Sequence, residues 1–114
     1  AMIEKIEASG VAEPYPIRSS PEPYPRPLIS PLARLASDYH STIWLHLGAM
    51  YLNGLKKAGR DVAGRKAKLE ALIMEYRNCL ETLGLDGRPW WTPFFACEHG
   101  LSMAAGQYLE LALG

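Results

Sequence analysis

The chain has 114 residues, 48% of them hydrophobic, and a formal net charge of zero, so it has room for one small domain with a real core. No stretch of eighteen apolar residues occurs, which leaves no candidate for a membrane-spanning helix. The start, Ile3-Glu4-Lys5-Ile6-Glu7, has no continuous apolar stretch and does not read as a secretion signal. Cys79 and Cys97 then read as reduced, half-buried thiols of a cytoplasmic protein.

Seven of the nine prolines lie between Pro14 and Pro31, and a short unit repeats there: Glu13-Pro14-Tyr15-Pro16-Ile17-Arg18, then Glu22-Pro23-Tyr24-Pro25-Arg26. Alternating prolines remove backbone donors and force extended geometry on the residue before each one. Residues 1–30 are therefore predicted to be an extended or disordered proline-rich leader. It is either a solvated lead-in or a docking strap, with Tyr15 and Tyr24 entering pockets on a neighbouring subunit or a partner.

The remainder, 31–114, is predicted to be an all-α domain made of a long antiparallel hairpin over 31–84 and a C-terminal segment over 85–114. Ser30-Pro31 is a helix-start signal, with Ser as cap and Pro preorganised at the first helical position. From there Leu32, Leu35, Ala36, Tyr39, Ile43, Leu47, Met50 and Leu55 recur at helical spacing. Between Ile43 and Leu52 the apolar residues run almost all the way round, adding Trp44, Leu45, Ala49 and Tyr51. A helix apolar on every side must be covered on every side. In so small a chain this predicts a homo-oligomer with Trp44, Met50 and Tyr51 at the subunit interface. Gly59 ends this arm and Asp61 can cap the next. Val62, Lys66, Leu69, Ile73, Tyr76, Leu80 and Leu83 then form a coiled-coil-like seam closing at Gly84. Residues 85–91 read as a turn. Thr92-Pro93 reads as a second helix start, opening a shorter helix to about Leu113 that Gly100 and Gly106 weaken.

The tip of the hairpin carries the strongest functional signal. Lys56, Lys57, Arg60, Arg65, Lys66 and Lys68 are half of the twelve Lys and Arg, packed into thirteen positions with one acid. Lys56 and Lys57 suit a helix C-terminus. Arg65, Lys66 and Lys68 stand in the first turns of the next helix, where the macrodipole disfavours positive charge by a few tenths of a kcal/mol each. A local cost without a local benefit points to an anionic partner: nucleic-acid backbone first, an acidic protein surface second, and solvation alone as the bland reading. No aromatic residue interleaves for base stacking, so DNA binding is expected to be weak, salt-sensitive and sequence-tolerant.

Catalytic and metal signals are thin. Asp38, His40 and His46 fall on the first predicted arm without sharing a face. Cys97-Glu98-His99 is too compact for a tetrahedral metal site without remote ligands. The sequence assigns no catalytic residue, no metal and no cofactor, and reads as a non-enzyme. Trp90 and Trp91, followed by Phe94 and Phe95, make a dense aromatic patch. Two adjacent tryptophans are hard to bury together in one small core, so Trp90, Trp91 and Phe94 are candidate anchors for a protein partner.

Residues from Tyr39 to about Pro89 carry a family likeness: the Tyr51-Leu52-Asn53-Gly54-Leu55 approach to a charged turn, and the exit Leu80-Glu81-Thr82-Leu83-Gly84-Leu85 followed by Arg88-Pro89. A long hairpin of this kind resembles the central oligomerisation domain of small terminase subunits of tailed phages and phage-derived gene-transfer particles. The resemblance implies hairpins assembled into a ring that presents DNA to the large terminase ATPase–nuclease and stimulates it. By position, the segment after Pro89 would engage that large subunit. The proline-rich leader stands where that family's helix-turn-helix would be, which speaks against recognition of a defined packaging sequence. The competing reading is a small helical adaptor or inhibitor of a single protein partner, with no DNA role.

Overall fold

The computed structural model describes residues 2–23, 25 and 38–114. In chain order these form helix α1 (Met2–Ala8), a 3-10 turn (Tyr39–Ser41), strand β1 (Ile43–Trp44), helix α2 (Leu45–Lys57), helix α3 (Ala63–Tyr76), strand β2 (Thr82–Leu83) and helix α4 (Ser102–Leu113). The protein is predominantly helical, but a small antiparallel sheet makes it less than all-α. Tyr24 and the expected helix start at Ser30-Pro31, with Leu32, Leu35 and Ala36, lie outside the described residues.

The α2–α3 hairpin forms where the sequence places its turn. Gly59 takes a left-handed φ of 70°, and its N–H and that of Arg60 return to the carbonyls of Lys56 and Leu55 at 3.0 Å each. This pair of bonds satisfies the last carbonyls of α2 and stops it. Asp61 Oδ1 accepts from the Ala63 N–H at 3.0 Å and opens α3.

Both arms are shorter than expected, and the reason lies in the sheet. Thr42 through Trp44 leave the helical path because Ile43 and Trp44 pair with Leu83 and Thr82. At the other end Arg77 turns left-handed (φ 49°), and α3 stops at Tyr76 rather than at Leu83. Leu80 and Leu83 keep the core positions their spacing predicts, at 1% and 0% exposure, but reach them beyond the end of α3, Leu83 within strand β2. The ladder widens on both sides through bridges Arg18 to Ile43 and Leu83 to Pro89, and Cys97 N–H donates to the Trp90 carbonyl at 3.1 Å.

The leader expected to be extended is in part folded. Within α1, Ile3 and Ile6 are half-buried. Val11, Ala12 and Ile17 are buried in a satellite cluster with Ile6, Leu47 and Tyr51. Pro16 is buried, its backbone seated against Gly48 of α2, and Trp44 N–H donates to the Ile17 carbonyl at 2.9 Å. Proline runs stay extended only while nothing offers them a surface, and here the α2 flank does.

The main core is Ile43, Leu45, Ala49, Leu52, Leu55, Leu69, Leu72, Leu80, Leu83, Cys97, Ala104 and Leu111. Helix α4 contributes the last two and packs mainly on α2. The buried Asn53 amide donates to the Gln107 carbonyl at 3.0 Å, and Tyr108 O–H donates to Glu70 at 3.1 Å, which fixes α4 across both hairpin arms.

Candidate functional site

Two surfaces and one interior cluster hold the residues that chemistry singles out. The first surface is the loop between Trp91 and Ala96. Thr92 and Pro93 do not start a helix. Thr92 Oγ1 accepts from the N–H groups of Phe94 (3.3 Å) and Phe95 (3.0 Å), while Thr92 N–H donates to the Phe95 carbonyl at 2.7 Å. The same hydroxyl that could cap a helix here closes a tight turn, and Trp91 bridges to Ala96 across it. Trp91 and Phe94, each 68% exposed, are thereby held in the open by a braced backbone. Trp90 faces the other way: it is 6% exposed, and its indole N–H points to Asp38 Oδ2 at 3.4 Å. Trp90 therefore leaves the set of candidate anchors. Tyr15 is half-buried against the main core. Tyr24 lies outside the described residues.

The second surface is the basic tip, which is not bare. Five of its six cations have carboxylate partners: Lys57 with Glu110 (2.8 Å), Arg60 with Glu4 (3.1 Å), Arg65 with Glu7 (3.1 Å), Lys66 with Glu70 (3.7 Å) and Lys68 with Glu13 (2.9 Å). Three of these carboxylates come from residues 2–13, which the sequence reading treated as leader. That stretch carries Glu4, Glu7 and Glu13 against a single Lys5, and this charge bias is the signal that could have found them. Among the described residues Lys56 has no ion pair, and it shares an open cleft with Asn53, Lys57, Glu110 and Gly114. Exposed pairs of this kind contribute about 0–1 kcal/mol each and are screened by salt.

The residues expected at an oligomer interface separate in the same way. Trp44 packs edge-on to Tyr39 and His46 and stacks on His40. Tyr51 is half-buried between the satellite cluster and the Arg65 guanidinium, which lies 6.0 Å from its ring centre. Met50, 48% exposed, is the member left facing outward. The apolar ring over 43–52 is covered from inside the chain, by α4, the sheet and the N-terminal segment.

The interior cluster surrounds Tyr39, which touches His40, Trp44 and Trp90 edge-on and donates its hydroxyl to Glu81. Burial, followed by that bond to a carboxylate, holds its phenol far above the usual range. The other Glu81 oxygen accepts from Glu98 N–H at 3.1 Å. Beside it the Thr42 and Thr82 hydroxyls bond to each other across the sheet. His46 is half-buried with Nδ1 unpartnered, and burial pushes its imidazole down while Glu81 opposes. Apart from His46 Nδ1 these groups satisfy one another, and among the described residues none of them pairs a nucleophile with a base. Cys79 and Cys97 are free thiols whose burial pushes them up, away from reactive thiolate. Among the described residues, no group of three His, Cys, Asp or Glu is placed to hold a metal ion, and no helix is long and apolar enough to cross a membrane. No family model, no curated protein and no solved structure matches the chain.

Proposed function

We propose that this chain is a non-catalytic accessory protein that recruits a larger protein through Trp91 and Phe94. The observation that carries the reading is the Thr92-braced turn, which holds two large aromatic side chains in solvent at 68% exposure while the neighbouring Trp90 is buried. Aromatic anchors on rigid backbone lose little conformational freedom on binding and are the usual hot spots of protein interfaces.

Under the resemblance to small terminase subunits, the partner is the large ATPase–nuclease and the chain is a DNA-packaging accessory that oligomerises, with Met50 on the outer face of α2 as the subunit contact. A second reading is favoured by the ion pairs of the tip. With five cations already partnered, a single-partner adaptor or inhibitor needs no DNA to account for them. The test is titration calorimetry of the wild-type chain and a W91A/F94A variant against the large terminase subunit of the same particle. Docking through the turn predicts that the double variant, with unchanged thermal stability, binds at least about thirtyfold more weakly, as for loss of a 2 kcal/mol hot spot. Equal binding by both proteins removes the turn from the interface. No binding by either removes the packaging role, and photo-crosslinking from position 91 then reads whether another partner seats there.

A further inference from the structure

Residues 2–13 lie over the basic tip with one carboxylate for each of three cations. Glu4 reaches Arg60, Glu7 reaches Arg65 and Glu13 reaches Lys68, at 3.1, 3.1 and 2.9 Å. Glu4 and Glu7 share a face of α1 and reach Arg60 and Arg65, while Arg65 and Lys68 share a face of α3 and take Glu7 and Glu13. Independently of the Trp91–Phe94 reading, we propose that this arm is a built-in substitute for a polyanion. It occupies a face, formed by Arg60, Arg65 and Lys68 with Lys56 nearby, that binds the phosphate backbone of nucleic acid when the arm lifts.

Three observations carry this. The first is the placement of the cations. Arg65 and Lys66 stand in the first turn of α3, where the helix dipole disfavours cations, and of the two only Lys66 pairs with a carboxylate of its own helix, Glu70 at 3.7 Å. The second is the weakness of the cover. The three ion pairs are between 30% and 60% exposed on both sides, and no residue of α1 is buried. The arm is seated mainly by Val11, Ala12 and Ile17, beyond the helix that carries Glu4 and Glu7. Ion pairs this exposed exchange readily with another anion, and a polyphosphate brings several charges at once. The third is the Tyr51 hydroxyl. It is buried without a hydrogen-bond partner, with the Arg65 guanidinium over its ring and the satellite cluster against it. Burial pushes that phenol up, so it stays a donor, and the arm gives it no acceptor. A phosphate oxygen beside Arg65 would.

The test uses the whole chain and a short fluorescein-labelled duplex of arbitrary sequence, read by anisotropy at several salt concentrations. The E4Q/E7Q/E13Q variant is expected to bind at least tenfold more tightly than wild type at low salt. Its log–log salt dependence should steepen by about 2–3, near 0.9 for each freed cation that meets a phosphate. Adding R60Q/R65Q/K68Q to that variant should cancel the gain. E22Q/E75Q/D86N removes the same number of negative charges from exposed positions elsewhere, and should gain far less. On the wild-type chain, saturating duplex should speed hydrogen exchange across residues 2–13 while α2 and α4 stay protected. The proposal is overturned if the arm variant binds no tighter than wild type, if the control gains as much, or if bound duplex leaves exchange of the arm unchanged. A face built instead for an acidic protein would give the first of these results.

Discussion

Gly48→Ala is the sharpest probe of how the N-terminal segment sits, because Gly54→Ala on the same helix should have the opposite effect. A Cβ on Gly48 would lie 2.3 Å from the Pro16 oxygen and 2.8 Å from its carbonyl carbon, and both are backbone atoms that cannot rotate aside. Ordinary contact needs roughly another ångström, so α2 must shift or the Pro16 segment must lift. Overpacking of this kind costs about 1–3 kcal/mol, against about 1 kcal/mol gained by replacing a mid-helix glycine with alanine. The net expectation is a loss of up to about 2 kcal/mol, which for a domain of this size lowers Tm by up to about 10 °C. Gly54 has nothing within 4 Å of its would-be Cβ, so Gly54→Ala keeps the helix gain and raises Tm by a few degrees. Thermal melts by circular dichroism, run side by side, read the sign. If Gly48→Ala melts at or above Gly54→Ala, Pro16 does not rest on α2 and the seating described for the arm is refuted.

Ending the chain after Asp86 removes Ala104 and Leu111 from the core and the acceptor of Asn53, so the fragment should lack a cooperative melt; a folded hairpin there would mean α4 is dispensable. His46 should make stability fall on acidification: its folded pKa lies below the ordinary value near 6.5, so below that pH the unfolded chain takes up a proton that the folded chain resists. The Tm of H46Q should therefore be flatter than wild type from about pH 6.5 downward, and parallel curves would refute it. Met50→Glu should leave Tm within about 2 °C, as expected of an exposed position, while light scattering shows any oligomer dissociating. A wild-type chain that stays monomeric at high concentration would end the oligomer proposal.

The residues of the core were easier to read from sequence than the backbone that carries them. Ile43, Leu69, Leu80 and Leu83 recur at three- and four-residue steps and are all fully or almost fully buried. Over so short a stretch, however, that spacing serves an extended segment as well as a helix, and only pairing between distant segments decides. The Gly59–Asp61 turn was legible because both devices, a left-handed residue and an Asx acceptor, are local. Thr92-Pro93 misled for a related reason: a threonine hydroxyl two and three residues ahead of free N–H groups makes the same bonds in a helix cap and in a closed turn. Volume alone tells that Trp90 and Trp91 are hard to bury together, but not that Trp91 is the exposed one. The carboxylates facing the basic tip were not legible, since the stretch before Pro14 is easily grouped with the prolines that follow it, and its acidic bias tells of a basic counterpart without telling where α1 docks. Counted against a two-helix hairpin, the apolar ring asks for a subunit contact at Trp44, Met50 and Tyr51; α4, the sheet and the N-terminal segment cover much of that ring from within the chain and leave Met50 exposed.

The paired backbone gathers Ile17–Arg18, Ile43–Trp44, Thr82–Leu83, Pro89–Trp90 and Cys97 into one ladder, whose longest direct pairing, Ile43 with Leu83, joins residues about forty apart. Loops of that size must close before the bonds that reward closure exist. A helical hairpin zips locally and folds fast. Non-local pairing slows folding, so refolding should be slow for a chain so rich in helix. On the ribosome the consequence is sharper. Leu45, Leu52 and Leu55 are synthesised long before Leu111, so the apolar side of α2 waits uncovered while about half the chain is still being made. That interval, rather than the finished fold, is when the protein is most exposed to aggregation and has most use for a chaperone.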